Sequence, residues 1–290
     1  MLTADTRPAL RVSKILYATD FSVIAAKAGQ YAKATALRFG SAVEIVHVLP
    51  LIEGEFTDPI FAGKWRESKQ RLTEEQTLFR NAGIETQFAQ SLQHPVSDAV
   101  LMLESQCAPD LIIVGTESKS SLDRFLLGST AEYLIRSANA PVLTIGPNAK
   151  QPKSDPMVFE TVVLATDFSQ ISRNAGEYAL SLREAGARVL VCNVPSVPER
   201  QTHADTVSEE TEFWASAKQI ASHGTCKPWT PRQQIHPGNA AATILAAAQE
   251  VQADLIVMGA RARSFLLLHL HRGVTQDVLA QATCPVMTVR

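Results

Sequence analysis

The sequence predicts two tandem α/β domains, each a doubly wound five-stranded parallel sheet with helices on both faces. The first observation behind this is length: 290 residues, about two domains at roughly 150 residues each. The second is an internal repeat. Ala18-Thr19-Asp20-Phe21-Ser22 returns as Ala165-Thr166-Asp167-Phe168-Ser169. His94-Pro95 returns as His236-Pro237, Asp110-Leu111-Ile112 with Gly115 as Asp254-Leu255-Ile256 with Gly259, and Ala140-Pro141-Val142 as Cys284-Pro285-Val286. Four landmarks in one order at near-constant spacing mark a duplicated domain, far too long a period for a solenoid. The third is alternation of short, almost wholly apolar runs with helical patterns, the mark of a parallel sheet covered on both faces.

In the first unit, Lys14–Thr19 reads as a buried strand and Val23–Phe39 as a helix, with Ser22 before it and Gly40 after it. A strand at Val43–Val48, a long amphipathic helix at Glu55–Ala82 and a weaker strand at Glu85–Ala89 follow. Val96–Gln106 is helical, Leu111–Val114 a strand, Ser129–Ser137 a helix and Val142–Ile145 the last strand. The joint is the polar stretch Gly146 to Pro156, broken by Pro147, Pro152 and Pro156. The domains are thus expected at 1–149 and 157–290. In the second, the strands are Val162–Ala165, Arg188–Val194, a third near Arg232–Ile235, Leu255–Met258 and Val286–Val289. Its helices are Ser172–Glu184, Ser208–Ser222, Ala240–Val251 and Thr275–Ala280.

Composition narrows the function. Lys plus Arg number 27 against 29 Asp plus Glu, a net charge of −2, so nothing favours nonspecific binding to nucleic acid or an anionic membrane. No apolar run approaches the roughly 18 residues of a spanning helix, and Met1 to Arg11 lacks a signal-peptide core. A cytoplasmic protein is expected. Cys107, Cys192, Cys226 and Cys284 are widely spaced, which argues against a structural metal site or a disulfide framework. No nucleophile elbow, complete phosphate loop or dinucleotide fingerprint occurs.

In a doubly wound fold the ligand sits beyond the carboxyl ends of the strands, where the winding reverses. The loops that start at Asp20 and Gly115 lie there. Gly128-Ser129-Thr130, opening a helix, offers free amides and two hydroxyls to an anion. The same residues serve equally well as a turn and an ordinary serine N-cap. Asp20 suits either the ribose of a nucleotide or the N-cap of the next helix, in competition with Ser22.

Each unit resembles the universal stress protein family, and the whole chain beyond the first dozen residues resembles its tandem two-domain form. The residues that carry the resemblance are Ala18–Ser22, His47-Val48, Asp110–Gly115, Gly128-Ser129 and the Ala-Pro-Val before the last strand. The nucleotide-binding branch of that family carries Gly, two residues, Gly, nine residues, then Gly-Ser or Gly-Thr. Gly115, Gly128 and Ser129 match; Ser118 stands where the second glycine would. If that position needs a positive φ, Ser118 costs about 1–2 kcal/mol. The resemblance implies ATP, with Mg²⁺, in the first domain. The triphosphate lies over Gly115, Ser118, Gly128, Ser129 and Thr130, the ribose on Asp20 and the adenine at Val48. Ala18, Thr19 and Val114 flank them on the strand ends.

The second domain keeps Asp167 and Gly259 but has Ala262 and Arg272 at the other glycine positions. The implied function is a stress-response nucleotide sensor read by a protein partner, with weak ATP hydrolysis at most. The alternative is a nucleotide-free interaction scaffold. The two domains are expected to pack as an internal pseudo-dimer through their last strands, with a homodimer of chains beyond that. The apolar run Phe265–Leu270 is expected to pack on another surface.

Overall fold

A computed structural model describes residues 11–50, 59–93, 95–116, 128–182, 188–193, 211, 225–228, 239–260 and 273–290. The first unit runs β1 (Lys14–Ala18), α1 (Val23–Phe39), β2 (Ala42–Leu49), α2 (Pro59–Asn81), β3 (Thr86–Leu92), α3 (Val96–Cys107), β4 (Leu111–Gly115), α4 (Ser129–Ser137) and β5 (Val142–Ile145). The second runs β6 (Thr161–Thr166), α5 (Gln170–Leu182), β7 (Arg188–Asn193), β8 (Thr225–Pro228), α6 (Ala240–Glu250), β9 (Leu255–Gly259), α7 (Val274–Gln281) and β10 (Val286–Val289). The ten strands form one sheet in the order β3-β2-β1-β4-β5-β10-β9-β6-β7-β8. Pairing is parallel throughout each half; only β5 and β10 meet antiparallel.

Alternation along the strands divides the core into two layers. Ile15 and Tyr17 of β1 pack with α1 and α2 residues such as Ala28, Tyr31, Leu72 and Phe79. Leu16 and Ala18 pack on the other face with Ala99, Val100, Leu134 and Ile135 of α3 and α4. α1 starts with Ser22 as N-cap, its Oγ accepting from Ala25 N at 3.1 Å, and stops at Gly40, whose φ of 67° is left-handed. This decides the competition at that helix start: Asp20 does not cap α1. Its Oδ1 accepts from Ser22 N at 3.0 Å, a turn that sets the serine in place.

One strand departs from the expectation. The expected strand near Arg232–Ile235 lies outside the described residues; the described strand beside β7 in the second unit is Thr225–Pro228, a segment not read as a strand from the sequence. It pairs only with β7. A four-residue edge strand with Lys227 and a closing Pro228 has little of the apolar alternation that marks a strand, because only one side of it must pair. The expected helix Ser208–Ser222 also lies outside the described residues, apart from Thr211.

The proline-bearing joint is a packed strap. It follows one stripe of α1, at positions 27, 31, 34 and 38. Lys27 Nζ donates to Ala149 O at 2.6 Å, Tyr31 OH to Lys150 O at 3.0 Å, Met157 N to Ala34 O at 2.9 Å and an Arg38 guanidinium N–H to Met157 O at 2.9 Å. On its other side Lys150 N donates to Thr283 O at 3.1 Å and Asn148 Nδ2 to Ala280 O at 3.0 Å. Ala149, Met157 and Phe159 are buried. The strap therefore cements α1 of the first unit to the base of the second.

Candidate functional site

β1 and β4 are neighbours, with Ala18 in register with Val114, and the winding reverses between them. Asp20 and Gly115 thus leave adjacent strand ends, as the topology rule requires of a ligand crevice. Ala18, Val114 and Val48, the last on β2, are buried in one cluster on the α3–α4 face. Asp20 is exposed beside this cluster.

The turn after β1 is set by side chain to backbone bonds. Thr19 Oγ1 accepts from Phe21 N at 3.1 Å, and Phe21 is held at φ 60°. A bulky residue there is costly and persists only where its surroundings over-determine it. Here the Phe21 ring lies 4.4 Å from the His47 ring, centroid to centroid, and the Arg71 guanidinium sits 4.7 Å over its other side. His47 Nδ1 lies 2.8 Å from Thr19 O. Burial pushes the His47 pKa down, the Thr19 carbonyl and the Asp20 charge oppose this, and Arg71 adds to it. His47 in its neutral form thus donates from Nδ1 to Thr19 O and holds the turn. Nothing in the sequence signals the left-handed Phe21, because phenylalanine is not a residue that favours that region.

Gly115 has a different reason from the one its position suggests. A Cβ there would stand 2.9 Å from Ala25 N and 2.9 Å from Ile24 C. The first turn of α1 rests directly on the end of β4, so helix packing alone demands glycine. Gly259 repeats this: its Cβ would meet Ile171 of α5 at 2.8 Å. At the far side of the crevice α4 begins with Gly128, not Ser129, as N-cap, and with no side-chain cap. Ser129 is exposed and Thr130 half-buried in the first turn. The serine N-cap alternative is therefore not realised. Ser118 lies outside the described residues, as do Ala262, Arg272 and Phe265–Leu270.

The second unit repeats the β1 turn and alters its acid. Thr166 Oγ1 accepts from Phe168 N at 2.9 Å, with Phe168 at φ 62°. Asp167 Oδ1, however, accepts from Ser169 Oγ at 2.6 Å, Ser172 Oγ at 2.6 Å and Ser169 N at 3.1 Å. Ser172 stands where the first unit has Ala25. β7 ends at Asn193, opposite Thr166, where β2 has His47.

Among the described residues no three His, Cys, Asp or Glu side chains cluster to hold a metal, and no helix is long and apolar enough to cross a membrane. Cys107, Cys192 and Cys284 are free thiols; burial pushes Cys192 and Cys284 up to about 12. They are packing residues, inert at neutral pH.

Comparison with known proteins matches this architecture. A structure of a universal stress protein from Archaeoglobus fulgidus superimposes with a TM-score of 0.72 over 97% of both chains, at 21% identity. A universal stress protein of Methanocaldococcus jannaschii is 29% identical over 150 residues, which cover 49% of this chain and 84% of that one. One from Thermus aquaticus is 31% identical over 135 residues, 45% of this chain and 96% of that one. The profile of the universal stress protein family matches twice, at residues 11–146 and 159–290. The chain belongs to the universal stress protein family, and it holds two family units in tandem.

Proposed function

We propose that the first unit binds ATP and that occupancy of its crevice is the signal of a stress-response sensor. The observation that carries this is the state of the two acids. Asp20 is exposed at the strand end and spends one oxygen on Ser22 N; among the described residues its Oδ2 accepts no hydrogen bond. That oxygen is available to ribose hydroxyls. Asp167 is spent on three donors of its own loop. All three bonds fall on Oδ1, which leaves that oxygen little for a sugar.

The residues present fit the nucleotide. Ala18, Val48 and Val114 form a wall for a flat apolar base. The α4 first turn, capped by no side chain, presents its amides and the Ser129 and Thr130 hydroxyls to phosphate. Gly115 borders the same phosphate path, and the family resemblance assigns Ser118 to it. Mg²⁺ would ride on the phosphates and water, since Asp20 is the only carboxylate of the set. No positioned base accompanies it, so turnover is expected to be weak at most. The second unit is read as a nucleotide-free partner of the first, the role the scaffold alternative would give to the whole chain.

The test is the nucleotide content of purified protein, released by denaturation and measured by ion-exchange chromatography, with Gly128→Val alongside. About one ATP per chain, lost in the variant while its melting temperature moves by no more than about 2–4 °C, supports the reading. No nucleotide in either protein, and no binding on titration with Mg²⁺ and ATP, favours the scaffold.

A further inference from the structure

α4 and α7 are the last helices of their units, and their first turns meet beside the β5–β10 junction. Gln276 Nε2 donates to Glu132 Oε1 at 2.7 Å. The two residues are 144 positions apart. Leu143 and Met287, which face each other at the centre of the antiparallel pairing, have the same separation. The pseudo-twofold axis therefore passes between Leu143 and Met287 and again between Glu132 and Gln276. A residue at such a position meets its own counterpart.

The strands do not discriminate between counterparts. Val142 faces Thr288 and Thr144 faces Val286, and Val142 and Thr144 are themselves the equivalents of Val286 and Thr288. Two first units brought together through β5 would form the same Val–Thr pairs, with Leu143 against Leu143. At the helices the outcome differs. Glu132 against a second Glu132 would set two carboxylates at hydrogen-bond distance with no donor between them. Glu132 against Gln276 supplies an amide to a carboxylate.

We propose that the Glu132–Gln276 contact selects the partner of this interface. It fits a first unit to a second unit and rejects pairing between the first units of two copies of the chain. The discriminating element is the repulsion built into the wrong pair. Among the described residues Arg136, 3.9 Å from Glu132 one turn along α4, is the cation paired with it, and it can neutralise one carboxylate but not two. The other carboxylates on the elements packed here are Asp277 of α7, Asp98 and Glu104 of α3, and Glu250 of α6. Glu104 accepts from Asn139 N and Ala140 N at the far end of α4.

Thermal unfolding of the full chain tests this with three variants. Gln276→Glu recreates the rejected pair inside the chain. Its carboxylate can still cap Gly273 N, as the Gln276 amide oxygen does at 3.0 Å. Relative to wild type at the same pH, it is expected to lower the melting temperature by about 2–4 °C at pH 8 and by less at pH 5, where one carboxylate takes a proton. Glu132→Gln leaves two amides that can pair, and shifts it less. The exchanged pair, Glu132→Gln with Gln276→Glu, is expected to return to within about 1 °C of wild type at pH 8. An unchanged melting temperature for Gln276→Glu, an equal loss at both pH values, or an exchanged pair that melts as low as the sum of its parts overturns the proposal.

Discussion

The two units carry the same turn after the first strand and use it differently. In both, a threonine oxygen and a left-handed phenylalanine present an aspartate at the strand end. In the first unit the serine at the end of the motif turns to α1 and caps it, and the aspartate faces out. In the second the serine hydroxyl turns back to the aspartate, joined by Ser172. One added hydroxyl converts an outward acid into an inward one without altering the backbone. The turn that positions the acid is thus common to both units, while the partners of the acid are not.

The units differ as strongly at the opposite ends of their strands. Asp110 Oδ2 accepts from Ser13 N at 2.7 Å and Lys14 N at 3.0 Å, and the residue is exposed. Asp254 Oδ2 accepts from Glu160 N and Thr161 N, both at 2.9 Å, but the strap covers it. Its side chain is 2% exposed, and Lys153 of the strap is its ion-pair partner. Removing the buried acid leaves two amides without an acceptor, one of them buried, and a lysine without its partner. Asp254→Ala is therefore expected to cost about 3–4 kcal/mol. Asp110→Ala exposes its two amides to water and is expected to cost about 1 kcal/mol. Urea unfolding at pH 7 measures both. Equal losses would mean that the strap contributes nothing at Asp254.

The acids of the crevice give a smaller effect, read in binding. Asp20→Asn keeps an oxygen for Ser22 N and so should change stability by less than about 0.5 kcal/mol. It removes the charge available to a ribose and is expected to weaken ATP at least about tenfold, roughly 1.4 kcal/mol. Asp167→Asn should leave nucleotide content unchanged. Nucleotide lost through Asp167→Asn instead would place the ligand in the second unit and reverse the assignment.

Much of this was legible from residue order. The duplicated landmarks located both sheets, and Ser22 and Gly40 marked the ends of α1 because a cap is a local property. What escaped is long-range. The strap reads as a polar joint with helix breakers, and its packing on α1 escapes because the bonds between them use backbone carbonyls, which carry no sequence signal. Gly115 was read as a ligand-side residue; the structure adds a packing reason for glycine there, in Ile24 and Ala25, which precede it by about ninety residues. The edge strand β8 escaped because its pattern is satisfied from one side only.

His47 and Asn193 offer the finest contrast, and a pH-dependent one. His47 sits in the first unit with its pKa lowered, chiefly by burial, from an ordinary 6.5. The unfolded chain therefore takes up the proton first as pH falls. The stability that the neutral ring contributes is complete above about pH 6.5 and is lost as pH drops from there toward the folded value. Glu75 moves the opposite way, since burial raises its carboxyl; its protonation favours the folded state as pH falls. Subtracting the profile of His47→Asn from that of wild type isolates the histidine. The difference is expected to be flat above about pH 6.5 and to bend downward below it. Asp20→Asn removes a charge that holds the His47 pKa up, so in that background the bend should deepen. An unchanged bend would show that Asp20 and His47 do not sense each other across the turn.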